Sequence, residues 1–305
     1  MSAAAVPAAV AMTPSRVADY FSLTKPGIVG MVALTTLAGY LIASDATVVN
    51  GATLLHTLLG TGLTAAGGAA LNMFLERGLD ARMARTAGRP VPSGRLHPGE
   101  ALGFGLVLSA AGITELALFT SPLAAELAAA SLALYAAVYT PMKTRSEAFL
   151  LVGAVAGALP PVVGYAAVTG MLMPEAAIPF LLLLFWQLPH FLALAWRLRD
   201  DYSRAGVRVS SVSDPAGGST SFQVTGYATA LLAASALPLW AWGPAPWIVH
   251  VAIFAAGAWI AAISFRFARS LDESQARVLF LSSLVYLPFV MVLLVVAKRL
   301  ATPIA

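Results

Sequence analysis

The chain has 305 residues, of which 59% are hydrophobic and only 10% are charged, and its mean hydropathy is +0.82. These values lie far outside the range of soluble globular domains. The composition therefore predicts an integral membrane protein. The absence of cysteine excludes disulfides, thiolate metal sites and haem attachment through a CxxCH motif.

The N-terminal segment carries no charge before Arg16 and is rich in alanine and proline. It lacks the basic start and the continuous apolar core of a signal peptide. We expect residues 1–20 to form a disordered tail, and residues 21–305 to form a single polytopic membrane domain.

Apolar segments of membrane-spanning length then recur, with only short polar interruptions between them. The runs are continuous and do not alternate with polar residues, which favours helices over the strands of a membrane barrel. The predicted fold class is therefore an all-α integral membrane protein, a bundle of nine transmembrane helices. The predicted spans are Ile28–Ser44, Thr53–Phe74, Ala101–Phe119, Leu123–Tyr139, Phe149–Thr169, Ala177–Trp196, Val224–Trp242, Trp247–Phe265 and Val278–Ala297.

The basic residues divide unevenly between the two sides of this predicted bundle. Only Lys298 and Arg299 fall on the second side. By the positive-inside rule the crowded side is cytoplasmic, in what we expect to be the inner membrane of a bacterial cell, with the N-terminus on that side. The net charge of +4 thus reflects topology and does not indicate nucleic-acid binding. The crowded side holds Arg16, Lys25, Arg77, Arg82, Arg85, Arg89, Arg95, Lys143, Arg145, Arg197, Arg199, Arg204, Arg208, Arg266, Arg269 and Arg277.

The loop after the second predicted span carries polar residues at a regular spacing. Asn72, Glu76 and Asp80 lie four residues apart, so a helix that continues through Asp80 places all three on one face. Carboxylate and amide oxygens suit Mg²⁺, which uses few protein ligands and leaves positions for phosphate oxygens. Polar groups at the edge of an apolar span are costly and commonly functional. The loop therefore predicts a metal site that binds a diphosphate.

A second acidic loop follows the sixth predicted span, where Asp200 and Asp201 lie beside Arg199 and Arg204. The two loops form a weak internal repeat, and both are predicted to be cytoplasmic. Facing each other across a bundle, they could hold a metal-bridged diphosphate whose outer oxygens are neutralised by arginine and lysine. The alternative interpretation is a set of solvated surface ion pairs, which contribute little to stability.

The first acidic loop, NMFLERGLDARMARTAGRPVPSG at residues 72–94, resembles the first aspartate-rich motif of the UbiA superfamily of intramembrane prenyltransferases. Three further stretches occur in the family's order and resemble its haem O synthases, the protohaem IX farnesyltransferases. The second acidic loop has fewer acidic residues than the family's multi-aspartate motif, since it offers only Asp200 and Asp201. The three stretches are LTKPGIVG at Leu23–Gly30, YTPMK at Tyr139–Lys143 followed by GAVAGALPPVVGYAAVTG at Gly153–Gly170, and WQLPHFLALAWRLRDDYSRAG at Trp186–Gly206.

This resemblance implies a UbiA-like fold and the transfer of a farnesyl group from farnesyl diphosphate to the 2-vinyl group of haem b. Water then adds, giving the haem O that haem–copper oxidases need. The resemblance also implies Mg²⁺ as cofactor and a haem A synthase as a partner. The implied catalytic residues are Asn72, Glu76, Asp80, Lys143, Asp200 and Asp201, all of them metal ligands except Lys143, which joins Arg85 and Arg89 on the diphosphate.

His190 lies inside the sixth predicted span, directly after Pro189. Two interpretations fit a histidine at this depth. It could bind the iron or orient the porphyrin of the haem substrate, or it could be a structural histidine that bonds to a neighbouring helix or lies at the membrane surface.

Two other functions stay open. The first is a prenyltransferase of the same fold that acts on an aromatic quinone precursor, although the stretches at Pro189–Phe191 and Asp201–Gly206 resemble the haem enzymes. The second is a membrane haem or lipid carrier. Transporters usually place ionisable residues near the bilayer midplane on broken helices, whereas the charged clusters here lie at the ends of spans.

Overall fold

A computed structural model describes residues 15–44, 49–243 and 246–301. Every regular element in these ranges is helical, and nine helical segments are long and apolar enough to cross a membrane. The predicted nine-span fold class is confirmed; the largest shift is at the start of the seventh span, Gly218 where Val224 was predicted. Spans one to nine are Pro26–Ala43, Gly51–Leu75, Pro98–Phe119, Pro122–Met142, Phe149–Thr169, Pro174–Arg197, Gly218–Trp242, Trp247–Ser270 and Glu273–Ala301.

A short helix, Arg16–Leu23, precedes the first span. Its Asp19 is buried and forms an ion pair of 2.9 Å with Arg95, which lies in the loop after span two. This long-range contact holds the helix against the bundle, and the spacing of residues along the sequence does not reveal it. The expected disordered tail is therefore wrong for residues 16–20, while residues 1–14 lie outside the described ranges.

Four of the spans are interrupted helices. In span five the break falls before Pro160 and Pro161, which lack the backbone N–H of a continuing helix. Span four contains a π-helical turn, a feature that occurs frequently at functional sites. The segments are Pro122–Ala133, the π-helix Leu134–Tyr139 and Thr140–Met142 in span four; Phe149–Ala158 and Pro160–Thr169 in span five; the 3-10 turn Pro174–Ala176 and Ala177–Arg197 in span six; and Gly218–Ala234 and Leu237–Trp242 in span seven.

Spans two and six both end in a break that is followed by a short helix. Span two stops before Glu76 (φ −88°, ψ 4°) and resumes as Arg77–Asp80. Span six stops before Leu198 (φ −108°, ψ 18°) and resumes as Arg199–Ala205, and one more short helix, Ser210–Ser213, follows. The weak sequence repeat therefore has a counterpart in the backbone.

The spacing of Asn72, Glu76 and Asp80 predicted a helix that continues through Asp80. Span two is instead interrupted at Glu76. Hydrogen bonds of 2.8 Å still join the backbone N–H of Glu76 to the carbonyl of Asn72, and that of Asp80 to the carbonyl of Glu76. These bonds keep the helical offset across the break. All three side chains therefore stay on one side of the chain.

The first span packs against the second half of the fifth at unusually close range. A Cβ at Gly39 would lie 1.8 Å from the carbonyl oxygen of Pro161, and a Cβ at Gly164 would lie 2.0 Å from that of Thr36. Small residues permit such approaches between membrane helices. Span two packs in a similar way against span three, and span six packs against spans seven and nine.

Candidate active site

A cavity of about 400 Å³ lies among spans one, two, four, five and six and reaches the loops at one face of the bundle. That face, termed here the basic face, is the side on which the sequence places all but two lysines and arginines. Small and apolar residues such as Ala65, Gly68 and Val163 line the deeper part of the cavity. The charged and amide side chains that line its outer part are Lys25, Asn72, Glu76, Asp80, Arg85, Arg89 and Lys143.

Both carboxylates of the first acidic loop are buried and already paired with a cation. Arg89 donates hydrogen bonds of 2.8 and 2.7 Å to the two oxygens of Asp80. Lys143 Nζ lies 2.5 Å from Glu76 Oε1. Burial opposes the charge of Lys143, but Tyr139 and the Glu76 carboxylate raise the pKa of Lys143 above its ordinary value, so the ammonium is charged at neutral pH.

Asn72 is held in one orientation by partners on both sides of its amide. Its Nδ2 donates to Thr140 Oγ1 at 3.1 Å, and its Oδ1 accepts from Lys25 Nζ at 2.8 Å. The hydroxyl of Thr140 in turn donates to the carbonyl of Tyr135 at 2.9 Å, inside the π-helical turn of span four. The amide oxygen of Asn72 is therefore directed toward the basic side chains of the cavity.

The outer cavity fits a Mg²⁺ ion that shares its ligands with a substrate. No three acidic or histidine side chains come together within the described ranges, so a metal cage made only of protein is not formed there. Mg²⁺ usually takes one or two carboxylates and completes its shell with water and phosphate oxygens. Glu76 Oε1 is buried and contacts the Lys143 ammonium without a hydrogen bond of normal geometry, so a metal ion would take this oxygen in place of Lys143.

The structure does not bring Asp200 and Asp201 to this cavity, and their predicted role as metal ligands is not supported. Asp200 is exposed. Asp201 is bonded to Arg204 and accepts from the backbone N–H of Ala84 at 3.2 Å, so it ties the two loops together. Although burial opposes the shift, these bonds lower the pKa of Asp201.

The helical phase explains why the second loop differs from the first. Glu76 lies at the break after span two, and the corresponding break after span six is at Leu198. Counting four residues to either side gives Leu194 and Tyr202, and both line the cavity. The second loop therefore presents an aliphatic and a phenolic side chain where the first presents Asn72 and Asp80.

The model of the UbiA prenyltransferase family matches residues 32–284 of the chain. The chain belongs to this family. A protein named Protoheme IX farnesyltransferase from Solibacter usitatus is 41% identical over 280 residues, which cover 89% of this chain and 96% of the relative.

Two solved structures share the UbiA fold with this chain. One, of a digeranylgeranylglyceryl phosphate synthase, has a TM-score of 0.73 at 16% identity and covers 93% of this chain and 98% of its own. The other, a UbiA homolog from Archaeoglobus fulgidus bound to DMAPP and Mg²⁺, has a TM-score of 0.68 at 13% identity and covers 90% and 99%. At these identities the likeness concerns the fold alone.

In this UbiA family member His190 lies outside the cavity lining. Its Nδ1 is 2.6 Å from Ser283 Oγ, and its ring stacks on Phe280 at 4.7 Å and on Trp186 at 5.2 Å. Ser283 and Phe280 belong to span nine, so the histidine joins two helices. The structure favours the second interpretation, a structural histidine, and the haem-ligand role is not supported. Gln187, on the neighbouring face of the same helix, lines the cavity instead.

Sequence reasoning did not assign Lys25 to the site of this family member. Lys25 adopts a left-handed backbone conformation (φ 49°) at the start of span one, which is uncommon for a residue other than glycine. Burial is the main cause that lowers the pKa of Lys25 to about 8, and the nearby positive charge of Arg89 is the second cause. A lysine directly before the proline that opens an apolar span was the available signal.

Proposed function

We propose that this protein transfers a farnesyl group from farnesyl diphosphate to the 2-vinyl group of haem b, with addition of water, to give haem O for haem–copper oxidases. The observation that carries the proposal is the cavity, which is charged at the basic face and apolar at depth. Such a cavity suits a substrate with a diphosphate head and a long hydrocarbon tail. The relatives named Protoheme IX farnesyltransferase support haem as the acceptor.

The basic side chains would receive the diphosphate. Lys143 and Arg89 would turn from Glu76 and Asp80 to the phosphate oxygens, where an arginine can bind two oxygens at once, and Arg85 would join them from the exposed side. Mg²⁺ held by the acidic loop would supply positive charge at the departing diphosphate. These charges favour ionisation of the carbon–oxygen bond because they act where negative charge develops.

The deeper cavity would position the two substrates. Its apolar walls accept the farnesyl tail and a porphyrin face, and they keep bulk water away from the allylic cation. Tyr139 lies between the two regions, with its ring 4.6 Å from Lys143 Nζ. Holding the vinyl group against the cation in this way contributes to the rate through proximity.

The test is to assay haem products directly. Membranes containing the wild-type protein are supplied with haem b, farnesyl diphosphate and Mg²⁺, and the extracted haems are analysed by chromatography and mass spectrometry. We expect a farnesylated haem that disappears when Mg²⁺ is chelated and in Glu76→Gln. The matched control is Glu126→Gln, which changes an exposed glutamate of span four and should leave the product unchanged.

Each contrary result points to a different function. Folded wild-type protein that prenylates an aromatic quinone precursor but not haem would overturn the haem assignment and keep the fold's chemistry. Protein that prenylates neither acceptor, yet binds haem or lipid, would indicate a carrier.

A further inference from the structure

Gln187 presents a fixed hydrogen-bond acceptor to the cavity. Its Nε2 donates to the carbonyl of Leu183 at 3.0 Å and to that of Ala154 at 3.3 Å, so both of its N–H groups are used. If the Gln187 amide were flipped, Oε1 would face these two carbonyl oxygens, neither of which can donate a hydrogen bond. The orientation is therefore determined, and Oε1 is the atom left for a ligand.

The surroundings of Oε1 lack a donor. No described residue donates a hydrogen bond to it, although the side chain is buried. A Cβ at Gly157 would lie 2.2 Å from Oε1, so the glycine leaves the room that the amide occupies. Pro161 cannot donate the usual helical hydrogen bond to the carbonyl of Gly157. Buried acceptors of this kind are usually satisfied by water.

The position of this acceptor relative to the charged end follows from the fifth span. Gly153 and Gly157 lie one turn apart on one face of that span, about 6 Å along its axis. A Cβ at Gly153 would lie 2.6 Å from the ring of Tyr139, and that ring contacts Lys143. Gln187 Oε1 therefore lies about one helical turn deeper than the aromatic ring beside the diphosphate-binding lysine.

We propose that Gln187 holds the water molecule that adds to the haem side chain. The inference rests on the proposed farnesyl transfer. When the terminal vinyl carbon bonds to C1 of the farnesyl group and the C1–O bond breaks, the diphosphate leaves with the bonding electrons and the inner vinyl carbon becomes a cation. The held water gives a lone pair to this carbon, and the proton it loses passes to solvent. Farnesyl diphosphate, haem b and water thus yield haem O, diphosphate and one proton.

The alternative fate of the cation makes this role measurable. Without a nucleophile in place, the cation loses a proton from the adjacent carbon and forms an alkene. That product is farnesylated haem that is lighter than haem O by one water molecule. The ratio of alcohol to alkene therefore reports on the water, whereas the total yield reports on transfer.

The experiment compares Gln187→Met, which keeps the size of the side chain and removes the acceptor, with Gln223→Met, which changes a glutamine outside the cavity. We expect the alcohol-to-alkene ratio to fall about tenfold or more in Gln187→Met, as suits the loss of a buried hydrogen bond, and to stay unchanged in Gln223→Met. An unchanged ratio in folded Gln187→Met overturns the proposal.

A second variant covers the possibility that Gln187→Met does not fold. Gly157→Ala displaces the amide without removing it, and it should lower the same ratio; a wild-type ratio in folded Gly157→Ala contradicts the proposal. Absence of any farnesylated haem from the wild type would instead overturn the proposed function, so the two failures are distinguishable.

Discussion

Thr140 shows how one hydroxyl can set the chemistry of a neighbour. It is buried, accepts a hydrogen bond from the amide N–H of Asn72 and donates its own hydrogen bond to the carbonyl of Tyr135 five residues earlier. A hydroxyl whose single O–H already donates can only accept further hydrogen bonds, so the amide of Asn72 must turn its nitrogen to Thr140 and its oxygen to the site.

Thr140→Val should therefore weaken the apparent affinity for Mg²⁺ more than it lowers the stability of the fold. Loss of a hydrogen bond of about 1 kcal/mol corresponds to roughly a fivefold rise in the Mg²⁺ concentration that gives half-maximal activity, with a smaller change at saturating Mg²⁺. The measurement is a Mg²⁺ titration of product formation. Thr140→Ser keeps the hydroxyl and should restore the wild-type requirement. Equal Mg²⁺ requirements in all three proteins would refute this positioning role.

Part of the arrangement of residues at the site could be predicted from the sequence. The spacing of Asn72, Glu76 and Asp80 is enough to group them, because a period of four survives the break at Glu76. Asp200 and Asp201 carry the right chemistry at the wrong helical phase, and only the position of the break at Leu198 reveals this. The sequence shows where the acidic residues occur along the chain, but the direction of their side chains depends on where the helix is interrupted.

At the scale of helices, the contact between spans one and five depends on two glycines. Gly39→Ala places a methyl group 1.8 Å from a backbone oxygen that cannot rotate away. Overpacking of this kind typically costs about 1–3 kcal/mol. We expect a clearly lower temperature of unfolding in detergent, followed by tryptophan fluorescence.

The matched control for this change lies in the same helix. A Cβ at Gly30 meets nothing within 4 Å, so Gly30→Ala should leave stability unchanged or raise it slightly, since alanine favours helix more than glycine does. If both variants melted like the wild type, the close approach of the two spans would not be a source of stability.

Hydropathy predicts the spans well because membrane thickness fixes their length, but it says nothing about interruptions within them. Pro160 and Pro161 do signal the break in span five. No comparable residue marks the π-helical turn at Leu134–Tyr139, after which Thr140 bonds to Asn72 of span two. The break in the helix is therefore predictable from sequence, and the extra residue in the turn is not.

For the whole molecule, the distribution of charge predicts the orientation in the membrane. The chain has no cysteine, so single-cysteine variants need no prior substitution. Ala87→Cys lies in the exposed loop at the basic face, and Leu172→Cys lies between spans five and six, where Leu172 is 60% exposed. We expect a membrane-impermeant maleimide to label Leu172→Cys in intact cells, and Ala87→Cys only after the membrane is opened.

The reverse labelling pattern would mean that the basic face, with the outer part of the cavity, faces away from the cytoplasm. Labelling of both sites in intact cells would contradict the odd number of spans, three, that separates these two loops. The orientation thus has a test that does not depend on activity.

Lys143 is paired with Glu76 and Arg89 is paired with Asp80, so these charges at the outer cavity already balance one another. Under the proposed function, magnesium diphosphate would replace these internal counterions with its own charges, so few mobile salt ions would be displaced when it binds. Affinity should consequently depend less on ionic strength than in a site built from like charges alone. Either ion alone would have to separate the pairs without replacing both partners, so under the proposed function the site would bind the complex in preference to its components.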